Sequence, residues 1–215
     1  MSDAPASLAQ RLVEADAAAW ADAEDRAAYD LTVSRLIEGL ESADRAASKE
    51  ALLTLGELWL SRPGPGAPDT AAQLAERLLR AATTDSASDV ARAEALILRS
   101  WESLCYAADR GPRSISVAAP LPEGVVLPEG ADASAVPGYE AEARQQADDH
   151  ARAATLWNDR QAALRHLERL AALIRDPAIR GAPDRAPLMA AMARTPGVPP
   201  ALADLLSEEA KRLGD

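Results

Sequence analysis

His150 and His166 are the two histidines of this chain, and Cys105 is its one cysteine. An imidazole can bind a metal or move a proton near neutral pH, and a thiolate can attack an electrophile. Asp148 and Asp149 set two carboxylates beside the first imidazole. Spacing argues against each of these chemistries. Sixteen positions separate the histidines on one predicted helix. At ~1.5 Å per residue that is more than about 20 Å, too far for one metal ion. Neither His-Glu-x-x-His nor Glu-x-x-His occurs, so the helical zinc and di-iron patterns are missing. Adjacent helical positions point about 100° apart, so Asp148, Asp149 and His150 diverge. The expectation is two solvent-facing acids beside a half-buried imidazole.

Cys105 follows Leu104 on a predicted apolar face, with Glu102 and Asp109 as its helical neighbours. A reactive thiol needs a base and an electropositive setting. Two acids oppose ionisation, so a buried, inert thiol is expected. Gly64 and Gly66 alternate with prolines and lack the Lys-Ser/Thr of a phosphate-binding loop. No catalytic, cofactor-binding or metal-binding residue is therefore assigned, and the chain reads as leaning away from enzymes.

The elements that carry these residues are helices. Alanine, leucine, arginine and glutamate dominate outside the loops, and all favour helix. Five helices are predicted over about 5–20, 24–43, 45–60, 69–83 and 86–110. In the second, Tyr29, Val33, Leu36, Ile37 and Leu40 follow the spacing of a buried face. Leu52, Leu55 and Trp59 point inward from the third, and Leu74 and Leu78 from the fourth. Asp69 or Thr70 caps the fourth, and Ser86 with Asp89 opens the fifth. Val90, Ala93, Ile97, Trp101 and Leu104 share a face of that fifth helix. Gly56 interrupts the third helix at a cost of about 1 kcal/mol, which close approach of a neighbouring helix would justify.

Residues 111–138 hold five prolines and four glycines, with Leu-Pro-Glu-Gly at 121–124 and again at 127–130. No long helix passes through such a stretch. Its Ile115, Val117, Val125 and Val126 are apolar nonetheless. A helix follows over about 139–174, with Ala143, His150, Trp157, Leu164 and Ala171 inward by sevens and Ala153, Leu167 and Ile174 three positions on. Two short helices, about 184–192 and 200–213, complete the chain. The expected fold is all-α, a multi-helix bundle or short α-solenoid of helical hairpins. It has about eight helices and one long Pro/Gly-rich loop, divided as 1–110, 111–138 and 139–215. Arg35-Leu36-Ile37 echoes Arg77-Leu78-Leu79, and Glu50-Ala51-Leu52-Leu53 echoes Glu94-Ala95-Leu96-Ile97. That fits a duplicated hairpin.

The chain has 34 acids against 23 bases, a net charge of −11. Such a surface repels nucleic acid and anionic membranes. A single cysteine, no secretory leader pattern and no long apolar run predict a cytoplasmic protein, and 21 Arg against 2 Lys fits a GC-rich bacterial genome. Acids crowd Asp16, Asp22, Glu24, Asp25 and Asp30. Arg160, Arg165, Arg169, Arg175, Arg180 and Arg185 carry the opposite bias. Trp20 stands beside the acids as a potential interface anchor. The functional expectation is a protein–protein interaction module: an adaptor, regulatory partner or assembly subunit. Its partner is another protein or a second copy, met through Trp20, Asp22, Glu24, Asp25, Ile115, Val117, Val125, Val126, Arg165 and Arg169. The alternatives are an enzyme or small-ligand binder with a pocket built from several helices, and an acidic inhibitor of a basic protein surface.

Overall fold

The computed structural model describes residues 34–36, 38–40, 42, 44–61, 68–81, 87–114, 139–178 and 185–214. Among these the structure is all-α, a bundle without strands. After helical residues at 34–36 and 38–40 come α1 (Arg45–Ser61), α2 (Pro68–Ala81), α3 (Ala87–Arg110), α4 (Tyr139–Arg175), α5 (Arg185–Ala193) and α6 (Pro200–Gly214). Residues 115–138, the core of the Pro/Gly-rich stretch, lie outside the described residues. So do most of the first two predicted helices, and with them the test of the duplicated hairpin.

Local chemistry sets the helix ends. Asp44 caps α1, its Oδ1 accepting the Ala46 N–H at 2.9 Å while its own N–H is donated to Ser42 Oγ. The capping expected at Asp69 or Thr70 is corrected. Pro68 already occupies the first turn of α2, where its missing N–H costs nothing. That leaves the Asp69 carboxylate to reach another helix and Thr70 buried. Pro200 opens α6 in the same way.

The core gathers around α3. Leu96, Ile97, Trp101, Leu104 and Cys105 are each almost fully buried, and α3 meets α1, α2, α4 and α5. Leu52, Leu53 and Leu55 of α1 and Leu74, Leu78 and Leu79 of α2 close one side. Leu167, Leu170 and Ile174 of α4 join Met189 and Met192 of α5 on the other. Leu36 and Leu40 pack on this core from the preceding helical segment. Gly56 lies where a Cβ would come within 3.1 Å of Leu74 Cδ1 and 3.2 Å of Leu96 Cδ1, the close approach expected of it. The side chain of Trp59 is outside the described ones.

The inward series on α4 begins later than its heptad spacing suggests. Among its described side chains Ala163 is the first buried one, whereas His150 is exposed and Trp157 half-buried. The reason lies in where α3 stops. Arg160 donates its Nε–H to the Ala108 carbonyl at 3.0 Å. A Cβ at Gly111 would fall 2.3 Å from Arg160 Cβ and 2.6 Å from the Leu156 carbonyl oxygen. The end of α3 is thus level with Leu156–Arg160, and His150 has no α3 surface opposite it. At ~1.5 Å per residue, about 25 Å of α4 from Tyr139 to Leu156 extends past that end.

Two substitutions probe this packing. Gly111→Ala forces backbone apart and is expected to destabilise by about 1–3 kcal/mol. Gly56→Ala meets only leucine methyl tips and should cost less. Urea midpoints of the two variants measure the contrast. Trp101→Ala should cost about 3–5 kcal/mol in the same assay, because it opens a cavity in the most buried part of the core.

Candidate functional site

Among the described residues, side-chain ion pairs between helices gather at two seams. Between α1 and α3, Arg92 forks onto Glu57, with Nε to Oε1 at 2.7 Å and Nη2 to Oε2 at 3.1 Å, and its Nη1 reaches Glu50 at 3.0 Å. Those hydrogen bonds raise its pKa above the ordinary arginine value, against a smaller opposing effect of burial. Lys49 binds Asp89 at 2.8 Å beside it. Asp89 thus serves an inter-helix ion pair; its expected capping partner Ser86 is outside the described residues.

Between α2 and α4, Asp69 Oδ1 lies 2.6 Å from His166 Nε2. Asp159 stands two turns earlier on α4, and Arg169 one turn later binds Glu76 at 2.7 Å. The Asp159 carboxyl is held above its ordinary pKa, first by burial and then by the charge of Asp69. The Asp69 carboxylate on the imidazole fixes the orientation of the His166 ring and ties α2 to α4. Among the described residues, no three His, Cys, Asp or Glu side chains converge as a metal site.

Cys105 is fully buried. Burial first, then the charge of Glu102, pushes its thiol up to about 12, so at neutral pH it is a protonated core residue. Asp148, Asp149 and His150 are all exposed. Asp149 turns to Gln145 and Arg152 along its own helix. The three do not form one site.

Of the surface residues singled out in sequence, Arg165 and Arg169 are described. Arg165 is exposed; Arg169 is bonded to Glu76 within the molecule. Trp20, Asp22, Glu24, Asp25, Ile115, Val117, Val125 and Val126 lie outside the described residues. The structure adds what spacing could not supply. The Asp69–His166 pair joins positions 97 apart, and the Arg92–Glu57 fork positions 35 apart. Neither leaves a local motif. No protein-family model, curated protein or solved structure matches the chain.

Two outcomes test these electrostatics. Ellman's reagent at pH 8 should leave Cys105 unmodified in the folded chain and titrate it once urea is added. Asp159→Asn should raise the urea midpoint at pH 7. A carboxyl with a raised folded pKa binds more protons when native, so stability falls as pH rises through that window. The gain from the asparagine should vanish below the ordinary aspartate pKa, about 3.9, where the Asp159 carboxyl is protonated in the folded and unfolded chain alike. Equal midpoints at pH 7 would show that Asp159 carries no penalty.

Proposed function

We propose that this chain is a protein–protein interaction module, an adaptor, regulatory partner or assembly subunit, acting through helix faces and the 111–138 segment. The observation that carries the reading is the form of α4. Its second half supplies Ala163, Leu167, Leu170 and Ile174 to the core. Its first half runs past the end of α3, and the described side chains from Gln145 to Arg152 are exposed. Leu156, at the junction, is 42% exposed. A helix that lies along α3 for part of its length and runs past its end offers an edge to a second molecule. Recognition by a helix face is a common way to use such an edge.

The same reading accommodates the charge. A net of −11 speeds encounter with a cationic surface and discourages acidic ones. No described helix is long and apolar enough to cross a membrane. A cytoplasmic site of action fits the single cysteine.

Site-specific photo-crosslinking in the source organism tests the proposal. Benzoylphenylalanine at Leu156 should give a discrete adduct, whereas at Arg80, exposed on α2, it should not. Leu156→Glu should abolish any self-association seen by light scattering. A strict monomer that yields no adduct at position 156 would overturn the reading.

A further inference from the structure

The last two helices form a hairpin whose outer side is a groove. Pro187 and Ala190 of α5 face Ala210 and Leu213 of α6 across an open cavity of ≈ 630 Å³. Leu213 is 47% exposed there. Two cations stand at the groove, Arg194 just past the end of α5 and Lys211 in the last turn of α6. Among the described residues no carboxylate lines it. Neither cation forms an ion pair with a described acid. Their neighbour Arg212 differs, being bonded to Glu209, whose pKa that bond lowers. A chain with an excess of acids thus presents an apolar trough whose described charged residues are both cations.

We propose that this α5–α6 groove docks an acidic, amphipathic helix of a partner protein. The inference rests on the interaction-module reading and names the chemistry of the partner. Charge selects the sign: carboxylates flanking an apolar stripe would meet Arg194 and Lys211. Shape selects the helix. The groove walls are themselves helices, whose backbone groups are already hydrogen-bonded, so an extended strand finds no edge to pair with. The floor residues Ala190 and Ala210 are small and let a ridge of side chains descend between the two axes. α5 spans nine residues, about 13 Å at ~1.5 Å per residue. That length suits two to three turns of a partner, with apolar anchors at i, i+3 or i+4, and i+7.

The test uses the full chain and two fluorescein-labelled synthetic helical peptides. Both carry leucine at i, i+3, i+4 and i+7; one has glutamate and the other lysine on the flanking faces. Fluorescence anisotropy should show binding of the glutamate peptide alone. The double variant Arg194→Glu, Lys211→Glu should weaken it by about tenfold or more and let the lysine peptide bind instead, a reversal that misfolding cannot imitate. Ala190→Trp, filling the floor, should remove binding while leaving the helical circular dichroism intact. Equal binding of both peptides, or binding indifferent to the charge reversal, overturns the proposal. So does self-association abolished by the charge reversal, which would assign the groove to a second copy. The groove and α4 fail separately, since Leu156→Glu leaves peptide binding unchanged if only the α5–α6 assignment is right.

Discussion

Burial of Trp101 is the constraint on which the rest of the bundle depends. Its indole has no measurable exposure and donates Nε1–H to the Met192 carbonyl at 3.0 Å. A buried indole N–H left without an acceptor is costly, so the ring and the carbonyl must be brought together or neither can be buried. That one bond joins α3 to α5. The turn after α5 reinforces it. Gly197, at φ 79°, brings the backbone against α3, where a Cβ would sit 3.2 Å from the Cys105 carbonyl oxygen. A side chain there would suffer both the left-handed conformation and the contact. The carboxy-terminal hairpin is therefore held to the middle helix by one hydrogen bond, one glycine and the methionines Met189 and Met192.

The helices were legible in the sequence because their signals are local. Apolar residues recur every three or four positions in α1, α2 and α3, and prolines stand at the turns. The bounds expected for α1 and α4 differ from the observed ones by a single residue. Leu52, Leu55, Leu74, Leu78, Ile97, Trp101 and Leu104 all face the core, as their spacing indicated. His150 shows the limit of that logic. A heptad position is inward only if a neighbour lies opposite, and periodicity along α4 carries no record of where α3 stops. The polar seams were illegible for a related reason. Asp69 seemed a cap because it follows a proline-rich break, yet its partner His166 is brought near by tertiary packing alone.

The arginines divide by what surrounds them. Arg92 and Arg169 bind acids on neighbouring helices, and Arg160 serves a helix end by donating to Ala108 O. Arg194 and Lys211 sit instead where small apolar residues replace acids. Composition cannot separate these uses. The planar, multiply donating guanidinium suits all of them, and only the neighbours show which one is realised.

The Trp101–Met192 bond also has a consequence for synthesis. The two residues are 91 positions apart, so the acceptor emerges from the ribosome long after the donor. At ~5–20 residues per second the interval is on the order of 5–20 s. Until it ends, the flank of α3 carrying Trp101 lacks its lid, and a nascent chain in that state offers apolar surface to chaperones or to its neighbours on a polysome.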